Sequence, residues 1–112
     1  MNKFELQERL FVFALKVFKL IERFSKTKGE DVISYQLLKS SSSSAANCRA
    51  KSKADFLNKI KIVEEEIDES QFWLTFIKRL DILKGDTQLA SLIKEAGELV
   101  AIFTQTLKTL KS

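Results

Sequence analysis

The chain has 112 residues but no proline and only three glycines, and this scarcity limits most strongly the folds open to it. Strand-rich folds and tight hairpins use these two residue types in their turns, whereas the interiors of long helices exclude them. Because 45% of the residues are hydrophobic, the chain can also bury a core. We therefore expect a single all-α domain over residues 1–112, built from long helices joined by few turns.

Apolar residues recur every three or four positions in four segments, which is the spacing of one helix face. This spacing predicts helix 1 over Phe4–Lys26, helix 2 from about Glu30 through Cys48, helix 3 over Lys53–Leu83 and helix 4 over Thr87–Leu110. Gly29 and Gly85 mark the ends of helices 1 and 3, and Ser52 is expected to cap helix 3. Short connections imply antiparallel neighbours, so the predicted fold is an antiparallel up-down four-helix bundle.

Five consecutive serines, Ser40–Ser44, lie in the middle of helix 2. Such a composition is also typical of a flexible linker. However, the run contains no glycine or proline, and the apolar spacing from Ile33 to Cys48 continues across it. We therefore predict a helix whose small side chains let a neighbouring helix approach closely, with Cys48 as a small core residue.

The chain contains no histidine and one cysteine, which excludes several kinds of active site. Ser-His-Asp and Cys-His sites cannot be formed, and neither can a zinc site with histidine or paired cysteine ligands. A di-iron bundle site also requires histidine. We expect no enzyme activity, no cofactor and no metal. The single cysteine and the lack of any apolar segment of about 20 residues favour a cytoplasmic protein without a membrane segment.

Helix 3 carries two apolar stripes, about 110° apart around its axis. The first consists of Phe56, Ile60, Val63, Ile67, Ser70, Leu74 and Ile77, and the second of Ile62, Glu66, Glu69, Trp73, Phe76, Leu80 and Leu83. Helix 1 has a similar surplus beside its main stripe. Either these helices have an unusually wide core face, or a second copy covers the surplus. Because large exposed apolar patches are rare on monomers, we predict a homo-oligomer whose interface contains Phe11, Leu15, Phe18, Trp73, Phe76 and Leu80.

Charge is distributed unevenly along the chain, although the net charge is only +4. Glu66 and Glu69 fall within the second stripe of helix 3, and a half-buried carboxylate needs a cation. Lys39 and Arg49 of helix 2 are the predicted partners in a structural ion pair.

Four cations follow helix 1 at spacings of 3, 4 and 3, on the side opposite its main apolar stripe: Lys16, Lys19, Arg23 and Lys26. Such a ridge is often only a solvated face, but cations on a rigid helix can also contact phosphates. No RRM, KH or zinc-finger signature accompanies the ridge. These four residues are the candidate nucleic-acid contacts.

Several blocks of the chain together resemble a known family. They are Ile33–Ser40, Ala46–Asn47, Ser52–Leu57, the group Glu66, Glu69, Ser70, Trp73 and Leu74, and the group Leu92, Glu95, Ala96, Glu98 and Leu99. In order and spacing they resemble the bacterial four helix bundle protein family, also called the 23S ribosomal RNA intervening-sequence protein family. One departure is Ala45, which stands where the family tends to have glycine.

The resemblance implies an antiparallel four-helix bundle that assembles into a ring-like homopentamer. The accessory variability determinant of diversity-generating retroelements is similar to this family, and it is a basic pentamer that binds nucleic acid and a reverse transcriptase. We therefore expect a homo-oligomeric scaffold that binds RNA or DNA without sequence preference, beside a reverse transcriptase or an rRNA intervening sequence. The alternative is a protein–protein adaptor whose cations only increase solubility.

Overall fold

The computed structural model describes residues 2–49 and 53–112, which form four helices. Helix α1 spans Lys3–Ile21, α2 spans Lys28–Asn47, α3 spans Lys53–Leu80 and α4 spans Thr87–Lys111. Each helix packs against the next along the chain, and α4 packs against α1, while the diagonal pairs of described helices share no backbone packing. The bundle measures 43 × 21 × 19 Å. The predicted antiparallel up-down four-helix bundle is confirmed.

One apolar face of each helix lines the core, because the 3-and-4 spacing brings these residues to one side of the helix. The buried hydrophobic residues are Leu10, Phe13, Val17, Leu20, Phe24, Ile33, Leu37, Cys48, Ile60, Val63, Ile67, Leu74, Ile77, Leu89, Leu92, Ala96, Leu99 and Phe103. The predicted placement of Cys48 in the core is confirmed. Leu110 was predicted on the core face of helix 4 but is exposed. Because Arg9 of α1 lies beside Glu95 of α4 and the two helices are antiparallel, the last turns of α4 extend past the start of α1 and leave Leu110 uncovered.

Helix α1 ends at Ile21 rather than at the predicted Lys26. The reason lies in Thr27, whose hydroxyl accepts a hydrogen bond from the Glu30 backbone N–H (3.2 Å) and donates one to the Glu30 carboxylate (2.8 Å). Thr27 is thus the N-cap of α2, which starts at Lys28. Gly29 therefore lies in the first turn of α2 and does not end helix 1.

The serine run is helical, as predicted. The Ser40 hydroxyl donates to the Leu37 carbonyl (3.1 Å) and is hydrogen-bonded to the Ser70 hydroxyl of α3 (2.8 Å). Ser40, Ser41 and Ser44 are buried, and their hydroxyls bond to carbonyls one turn back, so burying them leaves no polar group unpaired. The small side chains bring α2 close to α3.

Helix α3 ends at Leu80, whereas the prediction extended it to Leu83. Asp81 and Gly85 both adopt positive φ angles, 59° and 64°, which turn the chain toward α4. Asp86 then caps α4 by accepting a hydrogen bond from the Leu89 N–H (2.9 Å), which confirms the predicted start at Thr87. The predicted cap Ser52 lies outside the described residues. No helix among those described has an apolar stretch long enough to cross a membrane.

Candidate oligomer interface and nucleic-acid surface

Three large apolar side chains of α1 remain uncovered in the single chain. Phe11 is 57% exposed, Leu15 50% and Phe18 48%. They share the side of α1 that carries Gln7, whose amide donates to the Cys48 carbonyl at the end of α2 (3.3 Å). We call Phe11, Leu15 and Phe18 the α1 face; it borders α2 and points outward.

A second uncovered apolar surface follows α3. Trp73 is partly buried, Phe76 is 40% exposed and Leu80 is 46% exposed. The rings of Trp73 and Phe76 contact each other with centroids 5.6 Å apart, and Phe72 meets Trp73 edge to face at 4.9 Å. We call Trp73, Phe76 and Leu80 the α3 face. A wide core accounts for only part of the second stripe, because Trp73 and Leu83 pack against the core whereas Ile62, Phe76 and Leu80 are exposed.

The α3 face also borders α2. Glu66 lies on the same side of α3 as Trp73, about two helical turns before it. Ser43 and Lys39 of α2 both act on the Glu66 carboxyl. The α1 face and the α3 face therefore flank α2 on its two sides. Between Val32 and Asn47, α2 itself carries a single charged residue, Lys39.

The carboxylates beside the α3 face are arranged differently from the prediction. Burial and the neighbouring Glu69 raise the pKa of Glu66, while the Ser43 hydroxyl and the charge of Lys39 oppose that rise. Glu69 itself is exposed rather than half-buried, and Arg49 is exposed as well. Among the ion pairs of the described residues, none joins these carboxylates to Lys39 or Arg49. The charge of Lys39 thus acts on Glu66 without a salt bridge between the two side chains.

The basic ridge lies over the groove between α1 and α4, rather than directly opposite the core. Lys16 lines this groove together with Glu95 and Glu98, and Lys19 lines it nearer the start of α4. Lys26 lies beyond the end of α1, in the connection to α2. The four cations therefore do not form one straight row on a single helix.

Ion pairs of the described residues connect α1 and the segment after it to α4 and its N-cap along this groove: Arg9 with Glu95 and Glu98, and Arg23 with Asp86. Arg9 donates to both carboxylate oxygens of Glu95, at 2.7 and 2.8 Å, and the bond to Glu95 raises the pKa of Arg9. Arg23 pairs with Asp86 at 2.8 Å. The pKa of Asp86 is lowered, first by the Leu89 backbone N–H and then by Arg23. Part of the positive charge predicted to be free is therefore used to hold the bundle together.

Three cations of the ridge stay available for a ligand. Lys16, Lys19 and Lys26 are exposed, and none of them belongs to an ion pair within the part of the chain that the structure describes. No group of three or more acidic or cysteine side chains among residues 2–49 and 53–112 could hold a metal ion. The surface is thus suited to contact anions by charge.

Sequence reasoning missed the pairing of Arg9 with Glu95 and the exposure of Phe72, which is 57%. Arg9 stands seven residues before Lys16, two turns along the same ridge, so its position was readable as part of that pattern. Its partner was not, because the partner depends on how α1 and α4 are aligned. Phe72 belongs to neither stripe of helix 3. Its position outside both stripes was the feature of the sequence from which its exposure could have been predicted.

The comparisons with known proteins agree with this architecture. A chain from Bacteroides thetaiotaomicron VPI-5482, whose crystal structure was determined at 1.70 Å, superposes with a TM-score of 0.82 and 28% sequence identity. The match covers 96% of this chain and 99% of that chain, which is described as a protein with unknown function from the S23 ribosomal protein family. No protein with curated function matches.

The sequence profile of one family covers nearly the whole chain. It matches residues 2–105 and describes the 23S rRNA-intervening sequence protein. The matched region contains the α1 face, the α3 face and the basic ridge. The chain belongs to the 23S rRNA-intervening sequence protein family.

Proposed function

We propose that the protein is a homo-oligomeric four-helix-bundle scaffold that binds RNA or DNA without sequence preference. The observation that carries this proposal is on α1, which exposes an apolar face and, beside it, lysines without ion-pair partners in the described chain. The apolar face supports self-association, since apolar patches of this kind are rarely left open on monomers. The lysines support contact with phosphates.

Assembly would strengthen a weak basic surface. Lys16, Lys19 and Lys26 give one copy only a few phosphate contacts, and few contacts bind weakly at physiological salt. An oligomer repeats the same lysines in every copy, so one nucleic-acid strand can contact several copies at once. The name of the family associates its members with 23S rRNA, which supports RNA as the ligand. Such a scaffold fits a place beside an rRNA intervening sequence or a reverse transcriptase.

The test is to change Lys16, Lys19 and Lys26 together to Gln and to measure binding of labelled RNA and DNA over a range of salt concentrations. We expect affinity at low salt to fall about tenfold or more, and the slope of log K against log salt to become shallower by about 2 to 3. The matched control changes Lys78, Lys108 and Lys111 to Gln, which removes the same charge from exposed positions of α3 and α4. Equal affinity in the two triple variants, or no binding by the parent at low salt, contradicts the nucleic-acid proposal.

A protein–protein adaptor is the second candidate, and a groove on α3 favours it. Phe72 and Phe76 line this groove together with Asp68 and Arg79, and Phe72 is the more exposed ring. Exposed aromatic and arginine side chains are enriched at protein interfaces. Binding of a protein partner that is lost in Phe72→Ala and changes little with salt supports this candidate; RNA binding that Phe72→Ala leaves intact counts against it.

A further inference from the structure

The solvent side of α2 carries a single row of exposed residues. From Val32 to Arg49, just past the end of the helix, every exposed side chain belongs to this row, and the spacings are 3, 4, 3, 4 and 3. We call the row the α2 stripe; it consists of Val32, Tyr35, Lys39, Ser42, Ala46 and Arg49. None of the six belongs to the α1 face, the α3 face or the basic ridge, so the stripe is a separate surface of the bundle.

The α2 stripe is basic and contains no carboxylate. Lys39 and Arg49 are its charged members, and neither belongs to an ion pair within residues 2–49 and 53–112. The exposed acid of α2, Asp31, stands in the first turn of the helix, before the stripe begins. A face that serves only for solubility usually mixes charges of both signs. A face with cations alone attracts an anionic partner.

An open aromatic ring shares the stripe with these cations. Tyr35 is 62% exposed, and among the ring–ring contacts of the described residues none involves it. The Lys39 ammonium lies 5.9 Å from the centre of the Tyr35 ring. A ring of this kind gives a nucleic-acid base a surface on which to stack, and the neighbouring ammonium gives the phosphate of the same strand a charge to contact.

We propose that the α2 stripe binds a single-stranded nucleic acid, with one base stacked on Tyr35 and phosphates on Lys39 and Arg49. This rests on the proposed function, and it adds a second contact surface and the form of nucleic acid that fits it. Stacking on a side chain requires a base whose face is free, and in a duplex neighbouring bases cover both faces. A duplex can therefore use the lysines of the protein but not Tyr35. Because every base has such a face, the contact does not select a sequence.

The α2 stripe is connected to the basic ridge at one end of the bundle. The ridge ends at Lys26, in the connection between α1 and α2, and Lys28 begins α2 two residues later. Both lysines are exposed, and Lys28 stands about one helical turn before Val32. Cations thus lead from the groove between α1 and α4 to the start of the stripe, so one strand can contact both surfaces.

The experiment compares Tyr35→Ala with the parent on two labelled probes, an oligouridine strand and a blunt RNA duplex of the same length. We expect affinity for the strand to fall about fivefold or more, because one stacked base is lost, and affinity for the duplex to stay the same. The slope of log K against log salt should not change, since no charge is removed. Lys39→Gln should instead make that slope shallower, by about 0.7 with the strand.

Two further variants are matched controls. Tyr35→Phe keeps the ring, and Phe72→Ala removes a ring of similar exposure from the outside of α3. Both should bind the strand as the parent does. Tyr35 is exposed, so its variants are expected to fold, and circular dichroism and the mass in solution check that fold and assembly are those of the parent.

Strand affinity that Tyr35→Ala leaves unchanged overturns the proposal, and so does an equal loss with strand and duplex or an equal loss in Phe72→Ala. A Tyr35→Ala variant of smaller oligomeric mass also overturns it, because the ring then belongs to a contact between copies. If the triple variant of Lys16, Lys19 and Lys26 loses binding while Tyr35→Ala does not, the proposed function stands without the stripe. A parent that binds neither probe at low salt overturns both.

Discussion

At the scale of single residues, the best-defined contact between the first and last helices is the pair Arg9–Glu95. The guanidinium donates to both oxygens of the carboxylate, and both side chains are about three-quarters buried. Two parallel bonds fix the planes of both groups, so this geometry is more specific than that of an exposed lysine pair. The pair thus joins α1 to α4 at one defined register, beside the lysines that line the same groove.

A double-mutant cycle tests this role. We expect Arg9→Ala and Glu95→Ala to show a coupling of about 1 kcal/mol in the free energy of unfolding, because the pair is bidentate and partly buried. The control cycle uses Asp81 and Lys84, an exposed pair at 3.7 Å, for which we expect a coupling below about 0.5 kcal/mol. Equal couplings in the two cycles would show that Arg9–Glu95 acts as an ordinary surface pair.

The charged form of Glu66 is disfavoured in the folded chain. Burial is the main reason that its pKa is raised, and the charge of Glu69 adds to it. A raised pKa means that the folded chain favours the neutral carboxyl. The resulting stabilisation is present at acid pH, below the ordinary glutamate pKa, and it is lost as pH rises through the raised pKa of the folded chain.

We therefore expect Glu66→Gln to unfold at higher denaturant concentration than the parent at pH 7, with the difference disappearing near about pH 4. The matched control, Glu64→Gln, removes one charge from the same helix and should change stability less. Urea unfolding at the two pH values, at one protein concentration, provides the measurement. A Glu66→Gln variant that is less stable than the parent at pH 7 contradicts the account.

At the scale of the elements, the contact between α2 and α3 depends on the small size of the serines. Ser40 and Ser70 meet at 2.8 Å, and both are buried. We expect Ser40→Leu to destabilise the bundle by about 1–3 kcal/mol or more, because a larger side chain must push the helices apart and leaves the Ser70 hydroxyl with one partner fewer. Thermal or urea unfolding measures the change.

The same serine run offers the control. Ser42 is exposed and its hydroxyl bonds only to the Lys39 carbonyl within α2. Ser42→Leu should shift stability by no more than about 0.5 kcal/mol. If Ser40→Leu and Ser42→Leu have the same effect, then the serines do not determine how closely α2 and α3 approach.

The helices and their core faces could be predicted from the sequence, because apolar spacing is a local property. The helical serine run was predictable for the same reason, since no residue in it breaks a helix. The end of α1 was not predictable in the same way, because Thr27 caps α2 and places Gly29 inside the first turn of that helix. Local patterns also do not reveal the register between helices, and so the partner of Arg9 was assigned only by the structure.

The sequence predicted which residues belong to the candidate site better than it predicted their partners and positions. The exposed apolar residues of α1 and α3 had been identified by their surplus over a single core face. Arg23, however, was predicted to be a ligand contact, and it pairs with Asp86. That pairing depends on the distance between Arg23 and the start of α4 in the folded chain, which local sequence patterns do not give. No ion pair of the described residues joins Glu66 to Lys39 or Arg49, and this could not be read from the sequence because it depends on how α2 and α3 are aligned.

At the scale of the whole molecule, the bundle leaves apolar surface open on both sides of α2. Phe11, Phe18 and Leu80 are each about half exposed, although the core residues themselves are buried. This surface, and not any feature of the core, is the reason to expect more than one copy in the working protein. The lysines on the groove between α1 and α4 gain affinity only if that expectation holds.

The most direct measurement is the mass of the protein in dilute solution, by sedimentation equilibrium or light scattering at low micromolar concentration. We expect a single oligomeric species, and we expect Phe18→Glu or Leu80→Glu to reduce it to single chains that remain helical, since each places a charge in an apolar contact. A parent that is a single chain under these conditions contradicts the account, because both apolar faces would then be stable in water.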